Sequence, residues 1–136
     1  MSTLNEDLHV PINSDGDIVV ARQKGRALAI QLGFSGSGPT VIAAAISEVA
    51  RNIVNHAKHG EIVLSGIHES NRLGIQVVAR DEGPGIANLE QAMQYGYSSG
   101  KGMGVGLPGA KWLMDEFDIK SHPGKGTRVT MRKWVR

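Results

Sequence analysis

Residues 47–56 read Ser-Glu-Val-Ala-Arg-Asn-Ile-Val-Asn-His and carry two patterns at once. With their neighbours, Ile42, Ile46, Val49, Ile53 and Ala57 recur at three- and four-residue spacing, which places them along one face of a helix. Glu48, Asn52 and His56 stand four apart and form a second, polar stripe. At 100° per residue this stripe drifts about 40° per step, so Glu48 lies well out on the polar face and His56 near the apolar boundary. The spacing predicts a helix from Pro39 to His59 that is anchored on one side and lines a cleft with the other. Each large apolar side chain it buries contributes about 1.5–3 kcal/mol before chain entropy is subtracted.

Outward from this helix the remaining elements can be placed by the same rules. Upstream, Ser-Gly-Ser-Gly-Pro at residues 35–39 breaks the chain, offers a serine cap and puts Pro39 in the first helical turn. Before it, Ile18, Ala21, Gly25, Leu28 and Leu32 repeat at helical spacing from Asp17 to Gly33, and Leu8–Ile12 reads as a short strand. Downstream, Glu61–His68 and Arg72–Asp81 are rich in Ile, Val and Leu and form a predicted hairpin across Glu69-Ser70-Asn71, with Leu73, Ile75, Val77 and Ala79 on one face. A short helix capped by Asn88 is expected to run to Gln94. A helix from Gly106 to Phe117 and strands at Asp118–His122 and Thr127–Val135 complete the chain. Helices covering one face of a mostly antiparallel mixed sheet emerge from this order: an α+β, two-layer α/β sandwich.

Bulk properties narrow the functional classes. The 136 residues are expected to form a single domain, 1–136. Without cysteine there is neither a disulfide framework nor a thiolate metal site. The start, MSTLNEDLHV, lacks the basic and apolar regions of a signal peptide. Ala27–Ser47 carries no charge, but the glycine-rich interruption within it argues against a membrane helix. A soluble cytoplasmic protein without a membrane partner is the expectation. A net charge of +2, with two Trp, two Tyr and two Phe, speaks against a dedicated nucleic-acid binder. Arg128, Arg132, Lys133 and Arg136 read first as a solvated terminal strand and only second as a phosphate-binding patch.

Chemistry concentrates after Asp81. Glu82-Gly83-Pro84-Gly85 is a tight turn at a strand end, and residues 95–106 hold five glycines before a helix begins. A glycine-rich loop entering a helix presents unpaired N–H groups and a positive dipole end, which suits phosphate. No Lys-Ser/Thr comes after the last glycine, so this is not a Walker A loop. It also lacks the first strand and later acid of a dinucleotide fold.

The E-xxx-N helix, the D-x-G-x-G turn and the G-x-G-x-G-L loop, in this order, resemble the N, G1 and G2 boxes of the GHKL superfamily with its Bergerat ATP-binding fold. More narrowly, ISEVARNI, DEGPGI and GMGVGLPGAKWLMDEF resemble the anti-sigma-factor serine/threonine kinases, in particular the switch kinases of the bacterial stressosome. The resemblance spans Val41 to Thr127. It implies ATP and Mg²⁺ as cofactors, with Glu48 as general base and Asn52 as a magnesium ligand. It implies that Asp81 accepts from the adenine amine, that Gly83 and Gly85 line the ring, and that Thr127 assists through water. Gly102, Gly104 and Gly106 would wrap the phosphates, and Tyr95–Lys101 would form a lid in which Lys101 is the available cation.

Residues 82–100 contain no Lys or Arg, so a cation for the terminal phosphate must be Lys101, Arg51 or a partner's. The chain also lacks a histidine-bearing dimerisation helix, so the phosphoryl acceptor is expected on another protein. The resemblance names STAS-domain stressosome proteins as substrates and a PPM-type phosphatase as the partner then activated. A competing reading is an anti-sigma factor that sequesters a sigma factor, or a nucleotide-gated adaptor. Glu48 alone would be an ordinary surface carboxylate, and the other two boxes favour catalysis. His56 stays open between packing and function.

Overall fold

The computed structural model describes residues 2–3, 6–86, 93 and 106–136. Strand β1 (Ser2–Thr3) and β2 (Leu8–Ile12) precede helices α1 (Asp15–Leu32) and α2 (Gly38–His56). Then come β3 (Gly60–Glu69), β4 (Arg72–Asp81), α3 (Gly106–Leu113), β5 (Glu116–His122) and β6 (Gly126–Trp134). The sheet runs β1-β3-β4-β6-β5, with β2 also on β3. Every pairing described is antiparallel.

Alternation along the strands decides where the core sits. Ile62, Leu64, Ile75, Val77, Ala79, Val129 and Met131 point to one face and are buried there against the apolar stripes of the helices. Ile42, Ile46, Val49 and Ile53 supply the α2 stripe, as their spacing predicts, and all are at most 1% exposed. Gly25 lets α1 approach α2, because a Cβ there would land on Ile46 Cδ1. Helix α1 closes on Gly33 at φ 103°, and the Phe34 N–H reaches back to the Ala29 carbonyl at 3.1 Å.

The β3–β4 hairpin turns on Ser70 and Asn71 alone, both at positive φ, the conformation that matches strand twist in a two-residue loop. Leu73 lies beyond the reach of the helices and remains 38% exposed. On the far face Trp134 covers Gly74, carries the Arg72 guanidinium 4.0 Å above its ring and donates to Glu116 at 2.7 Å. Arg132, Lys133 and Arg136 all make intrachain hydrogen bonds.

Several boundaries differ from expectation. Helix α2 stops at His56, three residues early, because Lys58 turns at φ 72° and Gly60 already pairs with Asp81. Ala57, expected in the stripe, is the half-buried cap. Ser37 caps without a side-chain hydrogen bond, and its carbonyl takes the Val41 N–H instead. The last helix ends at Leu113 because β6 captures the residues beyond it: Asp115 N–H donates to the Arg132 carbonyl and Asp115 Oδ2 accepts from Trp134 N–H. The Asn88 helix and the Tyr95–Lys101 lid lie outside the described residues. No described helix is long and apolar enough to cross a membrane.

Candidate functional site

Helix α2 makes contacts that bear on the site near its middle and at its C-terminal end. Near its middle, the Glu48 carboxylate accepts the Gly106 N–H at 3.1 Å through Oε1 and the Arg51 guanidinium at 3.1 Å through Oε2. Gly106 is the first residue of α3, so this N–H is one of those a helix leaves unpaired. At the C-terminal end, Ala57 packs on the backbone of Gly83 so closely that a side chain at 83 would not fit. Nine residues separate Glu48 from Ala57, about 13 Å of helix at 1.5 Å per residue. Asn52, half-buried, lies between them.

Asp81 and Thr127 are cross-strand partners on β4 and β6 and share the face that packs against the helices. Asp81 Oδ1 accepts the Gly83 N–H at 2.9 Å, which fixes the turn after β4. Among the described residues Oδ2 accepts no hydrogen bond. Thr127 is buried, and its hydroxyl meets Ser121 Oγ at 2.8 Å. Ser121 Oγ donates to the Gly126 carbonyl at 3.1 Å and accepts from the Ile86 N–H at 2.7 Å. One hydroxyl on β5 thus ties the Asp81 turn to β6. Sequence reading passed over Ser121, since a lone serine in an alternating strand carries no signal of such a role.

Gly85 has φ 78° and lies against the His122 carbonyl, with Gly124 N–H bonded to the Pro84 carbonyl at 2.7 Å. Its need for glycine is therefore met by the packing of this turn on the β5–β6 loop. The structure brings together Glu48 with Gly106, and Asp81 with Gly83 and Thr127. Lys101, Gly102 and Gly104 lie outside the described residues. His56 is half-buried at the end of α2.

A cavity of about 440 Å³ opens on the other side of Glu48, between α1 and α2. Arg22, Arg26, Ala43, Ala44 and Ser47 line it with Glu48. Glu48 therefore borders two spaces, the α3 N-terminus and this groove.

Magnesium fits the donors present. An amide oxygen such as that of Asn52 is a hard ligand, and Mg²⁺ is commonly held by few protein atoms plus phosphates and water. Among the described residues no group of three or more His, Cys, Asp or Glu forms a protein cage for a metal.

Residues 14–133 match the family model of the histidine kinase-like ATPase domain, and the chain belongs to that family. It is 42% identical over 133 residues to the serine/threonine-protein kinase RsbT of Bacillus subtilis (strain 168), covering 98% of this chain and 100% of that one. An anti-sigma F factor of Thermoanaerobacter sp. (strain X514) is 34% identical over 121 residues, 85% of this chain and 83% of the relative. Among solved structures, the mycobacterial sensor histidine kinase MprB aligns with a TM-score of 0.57 and 17% identity over 95% of this chain and 99% of that one, a likeness of fold alone.

Proposed function

We propose that the protein is an ATP-dependent protein serine/threonine kinase built as a single ATP-binding domain, with α2 as the wall along which the nucleotide lies. The observation that carries this reading is the double contact of α2, with Glu48 at the N-terminus of α3 and Ala57 at the Asp81 turn. Adenine sits at the Asp81 end, where Asp81 Oδ2 accepts its exocyclic amine and Thr127 assists through water. Gly83 and Gly85 keep the turn tight beside it. The phosphates lie at the other end, on the N–H groups of Gly106 and of the loop that includes Lys101, Gly102 and Gly104. Asn52 would hold magnesium, which would supply neutralisation of the phosphate charge.

Glu48 is the catalytic residue. The hydroxyl oxygen of the acceptor attacks the γ-phosphorus, the bond to the leaving ADP oxygen breaks, and Glu48 takes the hydroxyl proton. An acceptor segment entering by the groove between α1 and α2 reaches Glu48 without crossing the nucleotide, and Arg22 and Arg26 favour an acidic segment there.

Identity to RsbT over the whole chain supports substrates of the STAS-domain type within a stressosome, and a PPM-type phosphatase as the partner activated afterwards. A phosphate adds about −1.5 to −2 charges to a docking surface, enough to turn a bound partner into a released one. The second reading, direct sequestration of a sigma factor, is favoured by the relatives that carry the name anti-sigma F factor. Incubation with Mg-ATP and a cognate STAS protein tests the first: a phosphorylated serine or threonine supports it. Recovery of sigma factor in place of STAS protein and phosphatase, in a pull-down, favours the second. The reading places the protein in the cytoplasm.

A further inference from the structure

Two groups suited to an anion, the Gly106 N–H and the Arg51 guanidinium, are both turned onto Glu48. Gly106 N–H reaches one carboxylate oxygen and Arg51 the other, each at 3.1 Å. The carboxylate they hold is 12% exposed, and the Arg51 side chain 33%. A carboxylate offers two oxygens on one planar edge, and a phosphate offers the same edge with more charge. The N-terminus of α3 and a guanidinium are both groups that prefer an anion. Glu48 is the anion both of them meet.

We infer that Glu48 is an internal stand-in for the terminal phosphate, and that Arg51 is the cation that passes from Glu48 to that phosphate when nucleotide binds. The inference rests on the nucleotide reading above and adds two things to it: a residue for the missing γ-phosphate cation, and a reason why the base stays unused beforehand. Residues 82–100 offer neither Lys nor Arg, whereas Arg51 adjoins Asn52 on the wall where the phosphates would lie.

The exchange has a chemical consequence. The hydrogen bond from Gly106 and the ion pair with Arg51 occupy both carboxylate oxygens. Phosphate displaces both contacts and leaves the carboxylate oxygens open to the acceptor hydroxyl. The terminal phosphate thus uncovers the base, and ADP, which lacks it, does so less well. An ordinary i,i+3 helix ion pair predicts no such distinction between nucleotides.

The test is equilibrium binding of Mg²⁺ with either ADP or the non-hydrolysable β,γ-imido analogue of ATP to the full chain, its Glu48→Gln variant and its Arg51→Ala variant. Gln keeps the volume and an acceptor for Gly106 but removes the competing charge. The expected result is that Glu48→Gln binds the ATP analogue about tenfold more tightly, a gain of about 1.4 kcal/mol, while its ADP affinity changes less than about threefold. Arg51→Ala should lose about tenfold for the ATP analogue and leave ADP within about threefold. Equal shifts for the two nucleotides in either variant overturn the exchange, as does a Glu48→Gln variant that binds the analogue no more tightly than wild type. A wild-type chain that binds neither nucleotide overturns the nucleotide reading and this inference with it.

Discussion

Asp81 and Thr127 face each other across the β4–β6 ladder, and Ser121, the cross-strand partner of Thr127 on β5, meets the Thr127 hydroxyl at 2.8 Å, the Gly126 carbonyl at 3.1 Å and the Ile86 N–H at 2.7 Å. The proposed adenine end of the site is therefore built on three adjacent strands and the turn after β4.

Asp81→Asn tests the adenine contact itself. The amide can still accept from Gly83 but no longer offers a charged acceptor to the exocyclic amine. Hydrogen bonds to charged groups are worth about 1.5–3 kcal/mol, so ATP affinity should fall by about 10- to 100-fold in calorimetric titration while the far-ultraviolet circular dichroism stays that of wild type. Unchanged affinity would remove Asp81 from the site.

Ser121→Ala deletes the hub. It leaves the Ile86 N–H and the Thr127 hydroxyl without the partner they now have. An unsatisfied buried group costs about 1–3 kcal/mol, which for a domain of this size corresponds to a melting temperature lowered by about 3–10 °C. Ser121→Thr, which keeps the hydroxyl, should recover part of the loss in the same melt.

Gly25→Ala examines the α1–α2 contact. The added methyl meets Ile46 Cδ1, the mobile end of a side chain, so the cost should be that of moderate overpacking, about 1–3 kcal/mol. Ile46→Val removes the obstructing Cδ1. In urea unfolding the double variant should lose less than the two single losses added together, because the second change relieves the clash created by the first.

The far face of the sheet sets an acid limit. The hydrogen bond from Trp134 Nε1, joined by that from Arg132, holds the Glu116 carboxyl below the ordinary glutamate value of 4.5. Because the folded value is depressed, the contribution to stability is fully present above the unfolded value and is lost as pH falls through the folded one. The loss should begin at about pH 5 and continue below it, and Glu116→Gln should flatten that limb. Trp134 fluorescence monitored during acid titration reports it directly. Glu116 is largely exposed, so the effect is small.

Much of this was legible from residue order. The α2 stripe, the β2 to β4 elements and the two-layer packing can be read from periodicity, since burial imposes its period on the chain. Asn71 tolerates the positive φ that the hairpin demands, and it marks that turn in the sequence. Legibility stops where a contact joins residues far apart. Glu48 and Gly106 are 58 positions apart, and nothing in either segment announces that a carboxylate will cap that helix. Ser121 acquires its part only when Ile86 and Thr127 are brought to it. The end of α3 at Leu113 is set by β6, which claims Asp115 and Glu116 against the helical spacing of Leu107, Ala110, Leu113 and Met114.

The central claim is that Glu48 takes the proton from an acceptor hydroxyl. Phosphoryl transfer from Mg-ATP to a cognate STAS-domain protein, measured at saturating nucleotide, tests it most directly. General-base catalysis is worth about 10²–10⁴-fold, so Glu48→Gln should retain nucleotide binding yet transfer phosphate at least about a hundredfold more slowly than wild type. Transfer by Glu48→Gln at the wild-type rate would contradict the account.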